Sequence, residues 1–170
     1  MRINFKQNNI VEIDDARVVF RNFSGTASKF NAAGKRNFSV VIPNQEIADA
    51  LINDTNKYGV GWKVRVKPPR EPGETPFMHL PVNIRFGGRV PPNIYLETDG
   101  RRRLLSEEEV SILDDIDIRS VSLDIRPHDD NDPVPFRTAY VTNMLVIQDI
   151  DRFAVRFAEE EAPEEMPFDM

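Results

Sequence analysis

The sequence predicts an all-β domain with one or two short helices. Three observations carry that prediction. Short runs rich in Val, Ile and Phe alternate with polar residues. Thirteen prolines and eight glycines punctuate those runs, as many short strands require. Only two segments carry helical periodicity. A chain of 170 residues, 40% apolar and 29% charged, is long enough to bury one real core. Sequential strands joined by turns, with a helix near the middle, suit a small barrel or sandwich.

The expected strands are 10–23, 36–42, 61–67, 78–86, 93–97, 118–126 and 136–147. In 61–67, Trp62, Val64 and Val66 share one face, and Lys63, Arg65 and Lys67 the other. In 78–86, Val82, Ile84 and Phe86 oppose Asn83 and Arg85. In 118–126, Val121, Leu123 and Ile125 oppose Ser122, Asp124 and Arg126. This alternation marks half-buried antiparallel strands. A helix is expected at about 44–57, with Asn44 as N-cap, a stripe of Ile47, Ala48, Leu51 and Ile52, and Gly59 beyond its end. A shorter helix follows Ser106, whose partner Glu109 completes a capping-box pattern, with Val110 and Leu113 to bury.

Charge is divided along the chain. The formal net charge is −6, but residues 1–105 hold 17 Lys+Arg against 10 Asp+Glu, and residues 106–170 hold 5 against 18. A mildly basic body with an acidic end points to nucleic-acid interaction or to an interaction tail. Residues 158–170, acidic and broken by proline, read as a disordered tail following a domain of residues 1–157. Its Met166, Pro167 and Phe168 form an apolar hook for partner proteins. No apolar run approaches the roughly 18–20 residues of a bilayer span, so no membrane partner is expected. The first residues lack the pattern of a secretory signal. With no cysteine in the chain, disulfides, thiolate zinc sites and a cysteine nucleophile are excluded, and a cytoplasmic location is expected.

Catalytic motifs are missing. There is no phosphate loop of the GxxxxGK type, no HExxH and no GxSxG. The cluster His128, Asp129, Asp130 and Asp132 offers oxygen ligands, but its spacing does not match a calcium loop. Asp, Asn and Pro are also turn residues, so a polar inter-strand loop is the better reading. No metal or other cofactor is expected, and a divalent-metal nuclease using 128–132 is kept as an alternative. A second alternative is an acidic adaptor or DNA mimic built on residues 106–170.

Basic and aromatic residues interleave in the body, the combination that holds single strands by phosphate contacts and base stacking. The tetrapeptide Arg-Asn-Phe-Ser occurs twice, at 21–24 and 36–39, around a small-residue loop that carries Lys29 and Phe30. Strand parity places Val18 and Phe20 inward, and Arg21 and Phe23 outward. Phe38 aligns with Val40 and Ile42, as a core residue would. Trp62 is either a core anchor or a stacking platform. Candidate phosphate contacts are Arg21, Lys29, Lys35, Arg36, Lys63, Arg65, Lys67 and Arg85; candidate stacking residues are Phe23, Phe30 and Trp62. The run Arg101–Arg103 reads as a turn with a cationic tip. The 24–35 loop is expected to close over a bound strand.

The runs ARVVFRNFSGTASKFNAAGKRNFSVVIP, WKVRVKPP and LPVNIRFGGRVPPNIYL resemble the single-stranded-DNA-binding proteins of tailed phages, across most of residues 10–150. The resemblance implies an OB-fold, a β-barrel that binds single strands in a groove on its face. It also implies non-catalytic, sequence-tolerant protection of single-stranded DNA in phage replication, recombination or repair, in the host cytoplasm. The tail is similar to the acidic tip of bacterial single-stranded-DNA-binding proteins, which recruits replication or recombination proteins. Here Asp169 and Met170 follow Pro167-Phe168, so the terminal Phe carboxylate of that motif is absent. The sequence leaves open assembly as a homo-oligomer.

Overall fold

The computed structural model describes residues 1–128 and 134–150, and in it ten strands form one sheet. They are β1 (Arg2–Phe5), β2 (Val11–Ala16), β3 (Val18–Asn22), β4 (Arg36–Ile42), β5 (Arg65–Lys67), β6 (Phe77–Ile84), β7 (Asn93–Thr98), β8 (Arg101–Leu104), β9 (Ile118–His128) and β10 (Thr138–Gln148). The main path runs β1-β2-β9-β10-β6-β4-β3; β5 pairs β6, and β7 pairs β10 and β8. Inward residues such as Ile13, Val40, Leu80, Ile94, Leu123 and Val146 belong to a single buried cluster. Strands β2, β4, β6, β7, β9 and β10 feed this cluster, β1 and β3 pack Ile3 and Val18 against it, and the sheet curls around it in the manner of a barrel, with β5 and β8 exposed.

The all-β class is the predicted one, and its details depart from the sequence reading in several places. The sheet is not wholly antiparallel, because β10 runs parallel to both β6 and β7. A register shift between Val141 and Asn143 bends β10, so its first half lies beside β6 and its second beside β7. The expected strand 10–23 is two strands. The expected strand 61–67 is reduced to Arg65–Lys67, and Arg101–Arg103 is not a turn but strand β8 against β7.

The helix α1 spans Gln45–Asn53. The Asn44 carboxamide oxygen accepts from the Ile47 amide at 2.9 Å, and Ala48 and Leu51 are buried. Gly61 is required just after it, since a Cβ there would collide with the Ile52 carbonyl oxygen. The second expected helix is a 3-10 turn, Val110–Asp114. Its capping box forms nonetheless: Ser106 N–H donates to Glu109 at 3.1 Å, and Glu109 N–H donates to Ser106 Oγ at 3.3 Å.

Candidate nucleic-acid interface

Strand β6 reads FMHLPVNI. Met78, Leu80, Val82 and Ile84 are buried, so Phe77, His79, Pro81 and Asn83 form its outward row. Across the antiparallel β5–β6 pair, Arg65 stands opposite His79, and Lys67 opposite Phe77. Directly opposed residues project to the same side of a sheet. Two cations and two rings therefore alternate on one face. Lys63 and Phe136 join Arg65, Lys67 and His79 in lining a groove of about 420 Å³. Val64 and Val66 line the same groove and Val66 is exposed, so the expected division of 61–67 into an apolar and a cationic face holds only in part: Trp62 is buried, but the short strand Arg65–Lys67 is exposed throughout.

A third ring comes from an irregularity. Between Val19 and Asn22, β3 advances three residues while β4 advances two, from Ser39 to Asn37. The extra residue is a bulge, and Phe20 within it has φ of 52°. That left-handed backbone is costly for a bulky side chain, on the order of 1–3 kcal/mol. It turns the Phe20 ring outward, where 63% of the residue is exposed. The ring meets His79 edge-on at 5.2 Å and Phe77 at 6.2 Å, while Phe77 and His79 stack at 5.5 Å. His79 Nδ1 is hydrogen-bonded to Ser39 Oγ at 2.9 Å. Partial burial, then the positive charge of Arg65, lowers the His79 pKa below its ordinary value.

The same bulge corrects the parity reading of 17–23. Phe20, expected inside, is outside. Phe23, expected to stack on a base, is fully buried and stacks on Phe38 at 5.1 Å. Arg21 donates to the Leu113 and Ile116 carbonyls at 2.9 and 2.6 Å, pinning the 3-10 turn rather than facing a phosphate. Arg36 donates to the Phe23 carbonyl at 2.6 Å and lies over the Phe86 ring, so it too serves the fold. Trp62 is a core anchor: its indole N–H donates to Asp54 at 2.8 Å, and the buried Arg137 guanidinium lies 4.9 Å from its ring centroid.

The remaining candidates sit at the other end of β6. Phe30 is 92% exposed, with Lys29 Nζ 5.7 Å from its ring centroid. Their loop is knitted by its own hydrogen bonds. Asn31 Nδ2 donates to the Thr26, Ala32 and Lys35 carbonyls, and Asn37 Nδ2 donates to Asn31 Oδ1 at 2.8 Å. Lys35 and Arg85 are exposed nearby in sequence to Asn37 and Asn83, and Arg85 extends the outward parity of β6 by one step.

Sequence reasoning missed Phe20, Phe77 and His79. The last two had a signal: starting the strand at Phe77, one residue earlier, makes FMHLPVNI alternate without a break. Phe20 had none, because parity cannot announce a bulge.

Another recess, of about 340 Å³, is lined by Glu97, Asp99 and Arg119 among others. Two carboxylates against one guanidinium, with no ring, do not suit a polyanion. Among the described residues no three His, Asp or Glu side chains come together to hold a metal, and no helix is long and apolar enough to cross a membrane. Asp129, Asp130 and Asp132, and the hook Met166, Pro167 and Phe168, lie outside the described residues.

Comparison with known proteins bears on the fold and the family. The C-terminally truncated single-stranded DNA-binding protein of bacteriophage Enc34 superposes with a TM-score of 0.52 at 16% identity, over 86% of this chain and 90% of that one. The structure of the Enc34 protein in complex with single-stranded DNA gives 0.50 at 15% identity, over 88% and 92%. At these identities the likeness is one of fold. No curated protein matches the chain in sequence. The family model described as "putative phage ssDNA-binding domain" matches residues 2–166, and the chain belongs to that family.

Proposed function

We propose that this protein binds single-stranded DNA without sequence preference and without catalysis, and that the outward face of β5 and β6 is where it does so. The observation that carries the reading is the registered pairing of Arg65 with His79 and Lys67 with Phe77, with Phe20 leaning on both rings. Rings at the sheet surface stack on bases of any identity, and cations one strand away hold the phosphates between them. Lys63 extends the cationic row. Lys29, Phe30, Lys35 and Arg85 serve the far end of the same face. Such binding protects exposed strands during phage replication, recombination or repair in the host cytoplasm. The acidic segment from residue 158, with Met166, Pro167 and Phe168, then recruits the proteins that act on those strands.

The test is fluorescence anisotropy of a labelled oligo-dT at several salt concentrations, with duplex DNA as competitor. The expected result is binding that resists the duplex and weakens with salt, with a slope of about 0.7 per phosphate contact. No binding at low salt, even after removal of residues 158–170, overturns the reading in favour of an acidic adaptor. Strand cleavage that requires Mg²⁺ and disappears in Asp130→Ala overturns its non-catalytic part.

A further inference from the structure

A second aromatic group lies on the same face. Asn37 of β4, Asn83 of β6, Tyr140 of β10 and Arg126 of β9 are direct neighbours across four strands. Their side chains therefore form one row on the outward surface. The Arg126 guanidinium lies 5.6 Å from the Tyr140 ring centroid, and the His128 ring meets Tyr140 edge-on at 5.6 Å. Both contacts come from β9, and Asn83 stands on the other side of the tyrosine, toward β6. The loop bearing Phe30 is tied to the far end of this row by the Asn37–Asn31 hydrogen bond.

From His79 to Asn83 is four residues along β6, about 13 Å at ~3.3 Å per residue. That is about four times the ~3.4 Å rise between stacked bases. One base cannot reach both aromatic groups, nor can two bases stacked directly on each other. Pro81, in register with the buried Ser39, fills the interval without charge.

We propose that Tyr140 is a second base-stacking station, with Arg126 as its phosphate contact. Single-stranded DNA then runs along β6 from Lys67 and Phe77 to Tyr140. This rests on the reading of the β5–β6 face as the binding surface.

The test compares full-length protein and variants on two oligo-dT strands, of about four and about twelve nucleotides, by anisotropy. Tyr140→Ala is expected to weaken binding of the longer strand about tenfold to a hundredfold and the shorter strand by no more than about twofold. Tyr140→Phe keeps the ring and is expected to bind as wild type. Arg126→Gln is expected to reduce the salt slope for the longer strand by about 0.7. Phe77→Ala is expected to weaken both strands. Wild-type affinity of Tyr140→Ala for the longer strand overturns the second station, as does an equal loss on both strands in Tyr140→Ala and Tyr140→Phe; either result leaves the first station standing. Failure of the wild-type protein to bind either strand overturns both.

Discussion

Arg65 and His79 face one another across the β5–β6 pair, and the imidazole, lowered in pKa by partial burial and then by that guanidinium, is neutral at physiological pH. The neighbours facing it are Ser39, Phe20 and Phe77, with Lys63 and Lys67 lining the same groove. None of these is an anion. A phosphate arriving at Arg65 supplies the missing negative charge and favours the imidazolium, so binding takes up a proton. Affinity for oligo-dT should therefore rise as pH falls from about 7.5 to about 5.5, and His79→Gln should flatten that dependence. The stability of the free protein runs the other way. A histidine with a lowered folded-state pKa contributes stability that is present above the unfolded value of about 6.5 and is lost as pH falls through the folded value. Urea midpoints of wild type should decline across that window, and those of His79→Gln should decline less.

The cations of β5 are expected to act through phosphates alone. Arg65→Ala and Lys67→Ala should each lower the magnitude of the salt slope by about 0.7 while leaving the unfolding midpoint close to wild type. Both side chains are exposed and neither has an ion-pair partner among the described residues. An unchanged slope in both variants would remove β5 from the interface.

Two phenylalanines three residues apart should separate binding from folding. Phe20→Ala removes an exposed ring and relieves the left-handed backbone strain only slightly. It should weaken oligo-dT binding by about 1–3 kcal/mol with little loss of stability. Phe23→Ala opens a cavity against Phe38 and should cost about 3–5 kcal/mol of stability, with the affinity of the folded fraction near wild type. Chemical denaturation and anisotropy on the same preparations decide the matter. The reverse pattern would restore the regular strand parity.

That contrast shows how much of the molecule its sequence reveals. Regular pieces are legible because period and face coincide: β4 has the expected limits, and the Asn44 cap and the Ser106–Glu109 box form. The rest depends on register. A single inserted residue at Phe20 exchanges inside and outside for the first Arg-Asn-Phe-Ser, because side-chain direction has a period of two. In the second copy Arg36 and Phe38 bond back onto the first, so the repeated tetrapeptide builds a hairpin base and not a pair of gripping sites. The parallel pairing of β10 is likewise invisible locally, since it joins segments about fifty to sixty residues apart.

The acidic edge of the face should mark where the strand stops. Asp124 of β9 stands directly opposite Glu12 of β2 and two residues from Arg126 on the same side of the sheet. Its pKa is raised by partial burial, with Glu12 and Asp14 adding to the rise, while a hydrogen bond from Asn143 and the charge of Lys6 oppose it. A carboxylate with a raised folded-state pKa stabilises the fold below its unfolded value of about 3.9 and loses that contribution as pH rises through the folded value. At neutral pH the Asp124 charge is therefore a net cost. Asp124→Asn keeps an acceptor for Asn143 and removes the repulsion with Glu12. It should raise the urea midpoint at pH 7, with the difference from wild type shrinking toward pH 3. It should also tighten oligo-dT binding most at low salt, because a negative charge beside Arg126 repels phosphate and that repulsion is screened within about 10 Å at 0.1 M salt. A variant that gains stability without gaining affinity would place the path of the strand away from β9, and would count against Arg126 as a contact.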